Sequence, residues 1–141
     1  MGTRSTIALE FADGTVQQVY CHWDGYLDHN GKILQEHYSD PFKLRDLIDL
    51  GDMSSLGERI GTQHAFDKAP QGECTFYGRD RKESGCGARK FKDFADYRAN
   101  HQYEEYEYIL RACGDKAVWF VADHNNTYMP LVEALAQQEV A

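Results

Sequence analysis

The sequence predicts an α+β fold, a single domain spanning residues 1–141 with a mainly antiparallel sheet and short flanking helices. Alternating apolar residues surround a turn signal near each end of the chain, at 6–23 and 106–122, and a capped amphipathic helix is written between them at 41–50. The length of 141 residues suits one domain, and 42% hydrophobic content with 13% aromatics supplies its core.

In the first strand pair, Ile7, Leu9 and Phe11 alternate with Thr6, Ala8 and Glu10, and Asp13-Gly14 offers the positive-φ residues of a two-residue type I′ turn. Such a loop sets Phe11 opposite Val16, Leu9 opposite Gln18 and Ile7 opposite Tyr20, with Ser5 and His22 on the same face. Arg4 and Trp23 then meet on the other face, where a guanidinium can lie over an indole.

A loop over 24–30 leads into a short helix carrying Ile33, Leu34 and Tyr38. Asp40 suits an N-cap and Pro41 position N1; Leu44, Leu47 and Ile48 follow at helical spacing, and Gly51 suits C′, which together place a helix at 41–50. Residues 52–72 read as a long ordered loop, the kind of segment that carries function. Strand character returns at 74–77 and 88–91 around the turn Ser84-Gly85-Cys86-Gly87. Asp93 caps a short helix through Arg98 that Phe94 and Tyr97 pack. Residues 106–113 and 117–122 pair around Gly114-Asp115, and Pro130 opens a C-terminal helix with Leu131, Val132 and Leu135.

Charge excludes whole classes of partner. Acidic side chains outnumber basic ones 23 to 15, for a net charge of -8, the opposite of what holding duplex DNA by its phosphates requires. The longest apolar stretch, 117–122, is far too short to cross a bilayer, so no membrane partner is expected. The first residues lack the apolar core of a secretory signal, which predicts a cytoplasmic protein. Cysteines 21, 74, 86 and 113 form no C-x-x-C pair and read as small packed thiols.

Several strings are distinctive: G-T-R-S-T-I at 2–7, Y-C-H-W-D-G-Y at 20–26, H-N-G-K at 29–32, G-D-M-S-S-L-G-E at 51–58 and Y-G-R-D-R at 77–81. Together they resemble a family of small accessory proteins of tailed bacteriophages and prophages. The resemblance implies a phage product made in the cytoplasm of a bacterial host, and by class analogy a counter-defence protein such as an anti-CRISPR inhibitor or a sponge for nucleotide immune signals. It implies no catalytic residues.

Catalytic constellations do not assemble. Cys21 and His22 are adjacent on a predicted strand and point to opposite faces, so they cannot form a dyad. His22, Asp24 and His29, with His37 or His64, have ligand chemistry but no compact metal signature, and a turn-forming role is simpler. Ser54 and Ser55 lie outside a G-x-S-x-G string, and no Walker-A string occurs. The expectation is therefore a non-enzyme with no cofactor; its rival is a small phosphate-handling enzyme using the Arg79/Arg81 turn.

Of two binding modes, sequestration of a cyclic nucleotide or ADP-ribose-type signal at the basic turn is the alternative, and occlusion of a host immune component is the expected one. Residues 79–92 hold six basic side chains against two acidic ones, a net +4, while the rest of the chain carries -12. On this locally reversed field, Tyr77 or Trp23 can stack on a base while Arg79 and Arg81 hold phosphate, the mode of a small nucleotide ligand. The competing reading for these bases is a solubilising edge hairpin. In the second mode the string Y-E-E-Y-E-Y at 103–108 presents Glu104, Glu105 and Glu107 with Tyr106 and Tyr108 to a host defence protein or ribonucleoprotein, imitating nucleic-acid phosphates. Its competitor is a half-buried strand with one solvated face. A homo-oligomer is compatible with either mode.

Overall fold

A computed structural model describes residues 3–101, 104–122 and 127–140. Among them, eight strands form one mixed, mostly antiparallel sheet, and five α-helices flank it, which makes the fold α+β. The strands are β1 (Ser5–Glu10), β2 (Val16–Cys21), β3 (Met53–Ser55), β4 (Thr75–Phe76), β5 (Arg89–Phe91), β6 (Tyr106–Cys113), β7 (Lys116–Ala122) and β8 (Tyr128–Pro130). The helices are α1 (Lys32–His37), α2 (Pro41–Asp49), α3 (Tyr77–Arg81), α4 (Phe94–Asn100) and α5 (Leu131–Val140). Sheet order is β4-β3-β2-β1-β6-β7-β8, with β5 also on β2. The two chain-end hairpins join through β1 and β6, which run parallel.

The first hairpin corrects the expected register by one residue. The Phe11 amide donates to Thr15 O at 2.8 Å, the Gly14 amide donates to Phe11 O at 2.9 Å, and Gly14 sits at φ 92°. These are the marks of a three-residue loop, a turn closed by a left-handed glycine, instead of a two-residue type I′ turn. Ile7 consequently faces Val19, Leu9 faces Gln17, and Ser5 faces Cys21. Pairing ends at Cys21, and the Trp23 ring packs edge-on against His22 at 4.8 Å instead of under Arg4.

With this register, Ile7, Leu9, Val19 and Cys21 join Tyr108, Leu110, Trp119 and Val121 on one face. Leu34, Tyr38, Leu44, Leu47, Ile48 and Leu131 cover them from the helices. The opposite face buries Ala8, Val16 and Ile109 beneath Phe91 and Tyr97. Both faces of β1 and β6 are thus dry, and these strands are central.

Helix α2 follows the expected local chemistry: Asp40 accepts the Phe42 amide at 3.0 Å, Pro41 takes the first turn, and Gly51 ends it at φ 86°. Asp93 likewise caps α4 by accepting the Asp96 amide at 2.7 Å. The second hairpin closes on the expected Gly114-Asp115, because Cys113 pairs with Lys116. Three elements depart from expectation. The segment 52–72 begins with β3, the strand expected over 74–77 shortens to β4 and turns into α3, and residues 24–30 are largely a π-helical turn over Leu27–Gly31. Strands β4 and β5 do not form the expected basic hairpin; β4 pairs with β3, and β5 with β2.

No helix among the described residues is long and apolar enough to cross a membrane.

Candidate functional site

The Y-C-H-W-D-G-Y string is mostly architecture. Asp24 takes the left-handed conformation at φ 58°, and a Cβ on Gly25 would collide with Ser5 and the Thr3 carbonyl. Buried Tyr108 reaches across from β6 to donate its hydroxyl to Gly25 O at 2.6 Å. Buried Asn30 bonds Ser5 Oγ at 3.2 Å, Cys21 Sγ at 3.4 Å and Trp23 O at 3.3 Å. Burial pushes the Cys21 thiol up to about 12, so it stays protonated and unreactive at neutral pH. His22 shares a 2.7 Å hydrogen bond with the Tyr20 hydroxyl. No group of three metal-ligating side chains occurs among the described residues, so His22, Asp24, His29, His37 and His64 do not assemble a metal site there.

The strand proposed as an acidic, aromatic docking surface is instead built into the sheet. Tyr106 and Tyr108 do share a face, with parallel rings 6.3 Å apart, but Tyr108 is buried and Tyr106 packs against the core. Glu107 is 1% exposed and faces buried His101, with Oε1 and Nδ1 3.1 Å apart. Glu105 is exposed and Glu104 half-buried. Tyr103 lies outside the described residues. The missing physical information was the parallel neighbour β1, which makes β6 an interior strand, together with the residues that pack on its two faces.

The Y-G-R-D-R string divides its two arginines. Asp80, with its side chain fully enclosed, is a hub: its carboxylate accepts the amides of Phe76 at 2.8 Å and His64 at 3.1 Å and pairs with Arg79 Nε at 3.0 Å. Burial opposes its ionisation, yet the bonds from Arg79, Phe76 and His64 outweigh that and hold its pKa below the usual carboxylate range. The remaining donors of Arg79 reach Ile60 O at 3.0 Å, Gly61 O at 3.1 Å and Cys74 O at 3.0 Å. Arg79 is therefore a tie between α3 and the preceding loop, which leaves Arg81 as the exposed arginine of this turn.

Arg81 faces outward, with 51% of its side chain exposed. Its guanidinium lies over two rings, 4.4 Å from the Phe66 centroid and 5.0 Å from that of Tyr77. Those rings stack on each other at 5.7 Å with a 30° tilt. Glu83 pairs with Arg81 at the surface. Lys82, Arg89 and Lys90 are exposed nearby in sequence, and Arg89 reaches Asp52 at 3.3 Å. Tyr77 also bonds the Ser54 side chain, and burial raises its pKa. Trp23 is 43% exposed and its amide bonds Ser54 O at 3.0 Å, so β3 links the Trp23 and Tyr77 segments. No direct Trp23–Tyr77 ring contact forms.

Sequence reasoning missed Phe66 and the bonding roles of Asp80 and Asp52, and it weighed His64 only as a metal ligand. Phe66 sits in a segment without periodicity, and only the length of that loop marked it.

No protein-family model matches the chain, and no curated protein or solved structure is significantly similar to it.

Proposed function

We propose that the protein is a non-catalytic phage or prophage counter-defence protein that sequesters a phosphate-bearing nucleotide immune signal, of the cyclic-nucleotide or ADP-ribose class, in the host cytoplasm. The observation that carries this reading is the Arg81 guanidinium held over the Phe66–Tyr77 ring pair at an exposed site. Stacking holds the guanidinium in place with about half of the side chain exposed, where it can take a base on its face or, once Glu83 is displaced, bond phosphate oxygens along its N–H edge. The Glu83 pair is a surface pair that a phosphate can displace at small cost. Basic side chains outnumber acidic ones by four within residues 79–92, a local excess that favours an anionic ligand.

The other mode, occlusion of a host defence protein or ribonucleoprotein, has less to stand on, because Glu107 and Tyr108 are buried. Titration calorimetry with cyclic dinucleotides, cyclic ADP-ribose isomers and ADP-ribose tests the proposal. Binding by one of them, weakened at least about tenfold in Arg81→Ala with the fold intact, is the expected result. Failure of the whole panel, together with a stoichiometric complex with a host defence protein that Glu104→Lys and Glu105→Lys disrupt, would establish occlusion instead. Turnover of a panel nucleotide would make the protein the phosphate-handling enzyme.

A further inference from the structure

Helix α2 covers the sheet with Leu44, Leu47 and Ile48, but its first turn stands over a space that no side chain fills, at the end where both hairpins close. A cavity of about 410 Å³ opens there, within the roughly 300–1,000 Å³ of small-molecule sites. Its origin lies in β6 and β7. Leu110 pairs with Trp119, and one step further in the same alternation Ala112 pairs with Ala117. Leu110 and Ala117 pack with the core beneath the helices, so the alanine pair continues that face with two methyl groups where larger side chains would close it. Leu9 and Phe11 complete the apolar wall, and Phe42, 69% exposed, lines the cavity from α2.

The charges on the lining are unequal. Glu10 is held by Arg111 at 3.1 Å. Arg45 and Lys116 form no ion pair among the described residues, and the Arg45 guanidinium rests 5.5 Å from the Phe42 ring centroid. Asp115 is the one unpaired acid on the lining against these two cations. In a chain of net charge -8, that local surplus beside an apolar wall suits a ligand with an apolar body and a single negative head.

We propose that this cavity is a second ligand site, which takes a small amphipathic carboxylate: an unbranched aliphatic chain against Leu9, Phe11, Leu110 and the alanine pair, with its head at Arg45 and Lys116. No residue of the Phe66–Tyr77–Arg81 platform lines the cavity, so the proposal stands independently of the nucleotide reading. Each methylene that leaves water on binding tightens the complex about fourfold until the cavity is full.

Calorimetry on the full chain with hexanoate, octanoate and decanoate, all below their micelle concentrations, tests the site, with octanol as the uncharged control. The expected result is saturable one-to-one binding that tightens along the series, with octanoate held more tightly than octanol. Arg45→Gln combined with Lys116→Gln weakens octanoate about fivefold and leaves octanol unchanged. Ala112→Leu and Ala117→Leu each put a larger side chain into the cavity and abolish binding, with thermal unfolding showing that the fold is kept. Ala112 is exposed, so its variant reads the site even where Ala117→Leu fails to fold. Arg81→Ala leaves octanoate binding unchanged. No binding across the series, octanol bound as tightly as octanoate, undiminished binding in Ala112→Leu, or binding lost in Arg81→Ala would each overturn the proposal.

Discussion

The Asp52 carboxylate accepts the Tyr20 amide at 2.8 Å and so occupies the point where the outer edge of β2 passes from β5 to β3. Gln18 is the last residue of β2 paired with β5, and Cys21 is the one paired with β3, so the Asp52 side chain stands in for a strand between them. The same oxygen meets Arg89 at 3.3 Å, and the Asp52 backbone bonds Cys86 O and the Tyr77 amide. Replacing it with Ala leaves an inward amide without its acceptor, at a cost of about 1–3 kcal/mol, whereas Asn keeps an acceptor and should cost less. Urea unfolding of the two variants would show the ordering; equal losses would mean that the side-chain oxygen is not what closes the edge.

Gly14 tests the hairpin loop. At φ 92° an alanine pays the left-handed penalty of about 1–2 kcal/mol, with no steric clash to add, since nothing lies within 4 Å of its Cβ position. Thermal denaturation of Gly14→Ala should therefore show a modest loss, while Asp13→Ala also forfeits the 3.0 Å bond to the Thr15 amide. A neutral Gly14→Ala would argue for a different turn.

Legibility followed the range of the interactions. Helix α2 was readable because Asp40, Pro41 and Gly51 act within one or two residues of its ends. The Gly114-Asp115 hairpin was readable for the same reason, whereas Asp13-Gly14 fits a two- or a three-residue loop equally well, and a one-residue slip reverses the faces. Non-local pairing was hidden: nothing in Tyr106–Cys113 announces β1 as a parallel partner, so Glu107 and Tyr108 read as surface. Arg79 and Arg81 are equivalent in sequence. Only the carbonyls of Ile60, Gly61 and Cys74, brought in by the loop, separate the tie from the exposed fork.

Glu107 should dominate part of the pH dependence of stability. Burial pushes its pKa from 4.5 to about 7, with the nearby Glu104 charge also raising it and the Glu104 amide bond opposing. The folded state therefore holds this proton more tightly than the unfolded state. The contribution to stability is greatest below the ordinary value and falls as pH rises toward about 7, by an amount on the order of 3 kcal/mol at most. Buried His101 faces the carboxyl at 3.1 Å, and the comparison with Glu107→Gln isolates the carboxyl's own contribution. Denaturation free energies measured across this window should decline more steeply in the wild type than in the variant; parallel curves would show that Glu107 ionises as freely folded as unfolded.

The two arginines of the Y-G-R-D-R turn should part company in stability. Arg79 is 12% exposed at its side chain, pairs with the enclosed Asp80 carboxylate and satisfies three carbonyls. Truncating it to Ala leaves a buried anion uncompensated, a change that costs about 3–5 kcal/mol. Lysine should rescue little, because a single ammonium cannot span Asp80 and carbonyls on both sides of the loop. Arg81→Ala removes only an exposed stack and a surface pair with Glu83, so its stability should stay within about 1 kcal/mol of the wild type. Any ligand affinity should follow the opposite order among folded proteins, lost with Arg81 and retained in whatever fraction of Arg79→Lys remains folded. Guanidinium unfolding paired with calorimetry on the same samples reads both quantities. If Arg81→Ala unfolds as readily as Arg79→Ala, the exposed guanidinium is structural and the platform is no ligand site.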